Sequence, residues 1–115
     1  MNNRDKQVIK KMLSEIEVIE QLITGIEVTD FIVDERTKRA VCMTLINIGE
    51  LVKNLSDDFK VVSTSIPWKS IAGMRDVTAH KYQTLKMGDV WYTVKNDMPV
   101  LKAELASIIK LRDGK

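Results

Sequence analysis

The sequence predicts an all-α fold, a small up-and-down bundle of four to five helices. Apolar residues recur every three or four positions along most of the chain, which is the spacing that forms one face of an α-helix. Only two prolines and five glycines interrupt this pattern. The 115 residues, of which 44% are hydrophobic and 30% charged, fit one globular domain that spans residues 1–115.

The first helix is indicated by an apolar stripe from Ile9 to Ile26. Gly25, near the end of the stripe, is a typical C-terminal signal, because glycine adopts the left-handed backbone conformation that ends many helices. After it, Thr29 or Asp30 is a candidate N-cap before the short patch Phe31-Ile32-Val33.

The second long helix carries an apolar stripe from Thr37 to Leu55, and we expect it to close at the polar cluster Ser56-Asp57-Asp58. The β-branched run that follows, residues 61–65, has the composition of a strand. It is short and has no partner run, so we interpret it as a connecting loop.

Two further helices complete the bundle. Pro67 is typical of a helix start, where its missing N–H has no cost, and predicts a third helix over Trp68–His80. The last helix follows a candidate cap at Asp89 and carries a stripe from Val90 to Ile109. This stripe continues through Pro99, which predicts a kink in the helix at that point.

The composition excludes several classes of protein. One cysteine and one histidine cannot supply an internal disulfide or a zinc site of four protein ligands. No apolar run is long enough to cross a bilayer or to form a signal peptide, so we expect a cytoplasmic protein with no membrane contact. A net charge of +2 is too small for a protein that coats nucleic acid through its overall field.

The residues that could carry chemistry cluster at the end of the third predicted helix. On a regular helix Asp76 and His80 lie one turn apart on the same face, where the carboxylate can orient the imidazole. Arg75 and His80 lie about 140° apart around the axis and about 7.5 Å along it. For both to act at one site, either the last turn is distorted or two copies of the chain contribute. The second arrangement predicts a homodimer with a cleft at its twofold axis.

The same residues also have a purely structural interpretation. A histidine at a helix C-terminus is stabilised by the helix dipole and the last carbonyls. Arg75 on its own is typical of a surface charge or of an ion-pair partner for Asp76. Glu50, one helix earlier, is either a partner that orients Arg75 or a solvated helix charge. We interpret Cys42, Trp68 and Trp91 as packing residues.

The order of the motifs along the chain resembles the HepT family of the HEPN superfamily. Arg75-x-x-x-x-His80-x-Tyr82 is similar to its RxxxxHxY signature, and Ile48-Gly49-Glu50 to its "IGE". Residues 66–75 resemble its "IPWxxIAGMR", and residues 89–99 its "vWxTvxNDxP". The similarity covers essentially the whole chain.

The resemblance implies a dimeric helical bundle with metal-independent ribonuclease activity, the toxin of a toxin–antitoxin pair, with no cofactor. It implies that Arg75, His80 and Tyr82 are the functional triplet and that Asp76 is a supporting polar residue. Its partner would be a minimal nucleotidyltransferase antitoxin, which silences the toxin by transferring AMP to the Tyr82 hydroxyl. Many relatives have glycine after the motif histidine, whereas this chain has Lys81, a further positive charge near the site.

The residue types suit this chemistry. His80 can take the proton of an RNA 2′-hydroxyl near neutral pH, since an unperturbed imidazole titrates there. Arg75 presents a fork of donors that matches phosphate oxygens and stabilises the added negative charge. The substrate would be an RNA such as tRNA or mRNA. The alternative hypothesis is a non-cleaving module that binds a nucleotide or a nucleotidyltransferase through the same residues.

Overall fold

The prediction of an all-α fold is confirmed by a computed structural model of the chain, which describes residues 1–63 and 66–113. Within these ranges the side chains of residues 62, 76, 77 and 111–113 lie outside the description. The described residues form helices and short connections, with no strand. The elements are α1 (Asn3–Ile23), α2 (Val28–Val33), α3 (Glu35–Lys53), α4 (Asp57–Val62), α5 (Trp68–His80), a 3₁₀ turn (Tyr82–Thr84), α6 (Met87–Tyr92), a π-helical turn (Thr93–Asp97) and α7 (Met98–Asp113).

Helix α1 begins and ends at local signals in the sequence. The side chain of Asn2 accepts a hydrogen bond of 2.7 Å from the backbone N–H of Asp5, which caps the first turn. The helix ends at Ile23, and Gly25 follows with a φ of +78°. This is the left-handed conformation that glycine adopts without steric cost, so the predicted end of the helix is confirmed.

The predicted cap at Thr29 or Asp30 is wrong in its placement. Both residues lie inside the short helix α2, where Asp30 accepts a hydrogen bond of 2.9 Å from the backbone N–H of Glu27. The long helix α3 is instead capped by Asp34, whose carboxylate accepts from the Thr37 backbone at 3.2 Å and from its hydroxyl at 2.7 Å. These hydrogen bonds hold the pKa of Asp34 below its ordinary value.

The prediction that residues 61–65 form a loop is wrong in its first part. Ser56 accepts a hydrogen bond of 3.2 Å from the backbone N–H of Phe59 and so starts helix α4, which runs to Val62. Residues 64 and 65 lie outside the described part of the chain. The β-branched pair at 61–62 is therefore helical, because the cap before it outweighs its local preference for a strand.

The third and fourth predicted helices are found, but the candidate cap at Asp89 is wrong, because Asp89 lies in the first turn of α6, whose N-cap is Lys86. Helix α5 spans Trp68–His80 as predicted, and its first turn includes a 3.1 Å hydrogen bond from Ile71 N–H to the Pro67 carbonyl. The last helical run is continuous from Met87 to Asp113 and includes a π-helical turn, Thr93–Asp97, just before Pro99. The kink at Pro99 stays a prediction. The side-chain amide of Asn96 donates a hydrogen bond of 3.0 Å to the Tyr92 carbonyl. This bond gives the carbonyl a partner where the regular α-helical hydrogen bonding is interrupted by the π-helical turn.

Helix α3 packs against both α1 and α5, and α7 packs against α1. The core is formed where these helices meet. Its completely buried members on α1 and α3 are Ile9, Met12, Ile16, Ile19, Val41 and Ile48. Trp68 and Trp91 pack against the core residues Phe59 and Phe31, with ring centroids 5.8 and 5.2 Å apart. None of the described helices is both long and apolar enough to cross a bilayer.

Candidate active site

Helices α3 and α5 are in close contact at Gly49 and Arg75. An ideal Cβ built on Gly49 would overlap the Cβ of Arg75 and would lie 3.2 Å from its backbone nitrogen. Any side chain at position 49 would therefore push α5 away from α3. The missing side chain of Gly49 fixes the backbone position from which Arg75 extends.

The next residue on α3 contacts the guanidinium itself. The Nε of Arg75 forms an ion pair with the Oε1 of Glu50, and both side chains are partly exposed, at 31% and 47%. Of the two interpretations of Glu50, the structure supports a partner that orients Arg75. An ion pair at one side of the planar guanidinium restrains the orientation of the Arg75 side chain.

His80 is the exposed last residue of α5. The helix is unbroken from Trp68 to His80, so the distorted last turn that would bring His80 towards Arg75 is absent. On this regular helix the two side chains leave the axis about 140° apart. One copy of the chain therefore presents Arg75 and His80 in different directions.

Tyr82 lies in the 3₁₀ turn that follows α5, and it is partly buried against the core. The guanidinium carbon of Arg39, on α3, lies 5.3 Å from the centroid of its ring. The Tyr82 hydroxyl is buried and has no hydrogen-bond partner among the described atoms. The predicted modification site is thus covered in this conformation.

The remaining candidates take different places. Lys81 is exposed, and its carbonyl accepts from the backbone N–H of Thr84 at 3.0 Å, so it forms the boundary between α5 and the turn. The backbone of Asp76 lies in α5, but its side chain lies outside the described part of the chain. Cys42 is a core residue as predicted, and burial raises the pKa of its thiol to about 11.

Two neighbours of the site were not assigned a role in the sequence. The role of Gly49 could have been found in the sequence, since a lone glycine inside a helical stripe indicates close packing. The role of Arg39 could not, because only the fold brings Arg39 to Tyr82. Within the described ranges, no three His, Cys, Asp or Glu side chains are grouped so that they could hold a metal ion.

Comparison with known proteins decides which family this arrangement represents. The family model described as Ribonuclease HepT-like matches residues 12–108. The chain belongs to this HepT-like family. The suspected resemblance is therefore confirmed.

Several HepT-like relatives match over nearly their whole length. "Probable ribonuclease HepT" of Thermococcus cleftensis is 36% identical over 110 residues, which cover 96% of this chain and 100% of the relative. A protein of Caldanaerobacter subterraneus named "Putative RNase" is 34% identical over 89% of this chain and 91% of its own length. A protein of the same name from Methanocaldococcus jannaschii is 37% identical over 96% of this chain and 94% of its own length. No solved structure matches the chain.

Proposed function

We propose that this HepT-like chain is a metal-independent endoribonuclease whose catalytic residues are Arg75 and His80. The observation that carries the proposal is that two residues of α3 fix the position of Arg75. The close approach at Gly49 fixes its backbone, and Glu50 holds its Nε. A cation held in this way, at a partly open position on the motif helix, is suited to stabilising charge on a phosphate.

The reaction proceeds by attack of the RNA 2′-oxygen on the adjacent phosphorus. His80 accepts the 2′-hydroxyl proton as the new P–O bond forms, and Arg75 stabilises the extra negative charge on the phosphoryl oxygens. The bond from phosphorus to the 5′-oxygen then breaks, and a second proton donor protonates the leaving oxygen. The products are a 2′,3′-cyclic phosphate and a 5′-hydroxyl.

The site is composite in this proposal, and a homodimer builds it. The regular helix α5 separates Arg75 from His80 within one chain. A twofold axis beside α5 brings the Arg75 of one copy and the His80 of the other to one cleft. The two copies of His80 can then divide the roles of base and acid.

The biological role that we propose is that of a toxin controlled by a minimal nucleotidyltransferase. Transfer of AMP from ATP forms a bond between the Tyr82 oxygen and the α-phosphorus, releases pyrophosphate, and leaves O-AMP-tyrosine. The adduct adds bulk and a negative phosphate two residues after His80. It would exclude RNA from the cleft. Mass spectrometry of Tyr82 after co-expression with the nucleotidyltransferase tests this step, and an unmodified Tyr82 in an inactive complex contradicts it.

A cleavage assay in EDTA tests the nuclease. Wild type should release cyclic-phosphate ends, whereas Arg75→Ala and His80→Ala, shown by circular dichroism to remain helical, should be inactive. Lys110→Ala, an exposed position on α7, is the matched control and should cleave like wild type. Cleavage that persists in folded His80→Ala would contradict the mechanism.

The alternative function, a non-cleaving binding module, has one observation in its favour. Arg75 and His80 diverge on one regular helix, so a monomer would not assemble the nuclease site. If unmodified wild type is monomeric and cuts no RNA, the chain is better described as a module that binds a nucleotide or a nucleotidyltransferase.

A further inference from the structure

Two neighbouring clefts along α1 and α3, here called the α1–α3 groove, lie beside the ion-pair partner of Arg75. One cleft, with a volume of about 550 Å³, includes Lys10 and Lys11 on α1 and Glu50 on α3. Glu50 forms the ion pair with Arg75, so the proposed catalytic cation lies alongside this cleft. The second cleft, of about 370 Å³, is lined by Arg4 on α1, Lys53 on α3 and Lys60 on α4.

The charges that line this groove favour an anion. Arg4, Lys10, Lys11, Lys53 and Lys60 are cationic and exceed the carboxylates of Glu15, Glu50 and Asp57. Each of these carboxylates already has a partner, since Glu15 accepts from Asn47 at 3.3 Å, Glu50 pairs with Arg75, and Asp57 lies 3.7 Å from Lys60. Arg4, Lys10 and Lys11 are exposed, and none of them forms an ion pair within the described part of the chain.

The groove on the other side of α5 has the opposite character. It lies between α5 and α7, has a volume of about 380 Å³, and is lined by the carboxylates of Asp97 and Glu104 without a lysine or arginine. A phosphate chain that reaches Arg75 would be repelled there. The α1–α3 groove is therefore the electrostatically favourable path along this side of the molecule.

We infer that the α1–α3 groove binds the phosphate backbone of single-stranded RNA beside the cleavage point. The inference rests on the proposed nuclease function. From Arg4 to Val18 the groove follows α1 for about 21 Å, which is long enough for a few phosphates of an extended strand. No aromatic side chain lines either cleft, so the contacts are to phosphates and do not depend on base identity.

The test compares two pairs of neutralised lysines in the full chain carrying His80→Ala, which binds RNA without cutting it in this proposal. Lys10→Gln/Lys11→Gln removes two groove charges at exposed helical positions where glutamine is a good helix former. Lys95→Gln/Lys110→Gln removes two charges from the last helical run and is the matched control. Binding of a short fluorescent single-stranded RNA is measured by anisotropy over a KCl series.

Each phosphate contact contributes about 0.7 to the slope of log affinity against log salt for a single strand. Loss of both groove lysines should therefore reduce the slope by about 1.4 and weaken binding about 25-fold at roughly 0.1 M salt. The control pair should bind like the His80→Ala parent. Equal effects of the two pairs, or no effect of the groove pair, would overturn the inference.

The same pairs on an intact His80 background separate this inference from the nuclease proposal. If the protein cleaves RNA and Lys10→Gln/Lys11→Gln leaves both RNA binding and KM unchanged, the groove does not bind RNA, and the nuclease proposal is unaffected. If wild type binds RNA through Lys10 and Lys11 but does not cleave it, the nuclease proposal is wrong, and the groove is an RNA-binding surface only.

Discussion

Gly49 determines where the guanidinium of Arg75 can lie. We predict that Gly49→Ala destabilises the fold by about 1–3 kcal/mol, because the new methyl group overlaps Arg75 and forces α5 outward. The shift displaces the proposed catalytic cation, so cleavage should fall by about a hundredfold. Chemical unfolding and single-turnover cleavage measure the two effects.

Gly73 provides the control, because it lies on α5, the helix that carries Arg75, and has nothing within 4 Å of a built Cβ. Gly73→Ala should stabilise the protein by about 0.5–1 kcal/mol and leave cleavage unchanged, since alanine suits a helix interior better than glycine. If both substitutions had the same effect on cleavage, the role of the close approach would be disproved.

Cys42 should be inert in the folded protein. Its thiol pKa is raised to about 11 by burial, so at pH 8 only about one molecule in a thousand carries the reactive thiolate. Ellman's reagent should therefore react slowly with native protein and rapidly with protein in guanidinium. Because the chain has a single cysteine, the signal has one source. A native rate near the denatured rate would contradict the assigned burial.

At the scale of elements, the turn between α3 and α4 is tied to the start of α1. The backbone N–H and the hydroxyl of Ser56 donate to the two carboxylate oxygens of Asp5, at 2.9 and 2.6 Å, and Asp5 is 1% exposed. The Ser56 hydroxyl also accepts from Phe59 N–H and caps α4. The Ser56 side chain therefore joins the start of α1 to the start of α4.

Ser56→Ala should destabilise the protein by about 2–4 kcal/mol, since it removes a helix cap and leaves one oxygen of a buried carboxylate without its hydroxyl donor. Thermal and chemical unfolding measure the change. Ser107→Ala, at an exposed position on α7, should have little effect. A loss below about 0.5 kcal/mol for Ser56→Ala, within the range of an ordinary surface substitution, would show that the link contributes little.

The sequence predicted elements where apolar periodicity and a boundary signal coincide. Helix α5 has both a proline start and a complete motif, and its bounds were predicted correctly. The short helices α2 and α4 were not, because six residues are too few to display a periodicity. Their caps, at Glu27 and Ser56, act through local hydrogen bonds with Asp30 and Phe59, and Ser56 has a further tertiary contact with Asp5.

For the whole molecule, the composite site makes a prediction about mixtures. Arg75→Ala and His80→Ala should each be inactive alone. When the two are mixed and allowed to exchange, about half of the dimers combine one copy of each and hold one intact Arg75 and one intact His80 across the axis. Cleavage should therefore reappear, more slowly per site than in wild type, because the one intact His80 serves as the base and no second His80 is left to act as the acid.

A control mixture of Arg75→Ala with the double variant Arg75→Ala/His80→Ala should remain inactive, because no dimer then contains an intact Arg75. Recovery should follow the fraction of mixed dimers measured by native mass spectrometry. If mixed dimers form and no activity returns, Arg75 and His80 do not combine across two copies.

The overall arrangement was predictable only in part. Four long helical segments and their bundle follow from the apolar stripes, and the motif identified Arg75, His80 and Tyr82. The path of the groove and the environment of Tyr82 were not predictable, because they depend on which helices become neighbours. Arg39 illustrates this, since it is far from Tyr82 in sequence and lies over its ring in the fold.

The covered hydroxyl of Tyr82 has a kinetic consequence. An enzyme that transfers AMP to it can act only on molecules in which the 3₁₀ turn has opened away from Arg39 and the core. The opening equilibrium then sets the reactive fraction, which falls about tenfold for every 1.4 kcal/mol of opening free energy. Under the proposed control by AMP transfer, this local opening would limit the rate of modification, and substitutions that tighten the turn would slow modification without changing the proposed catalytic residues.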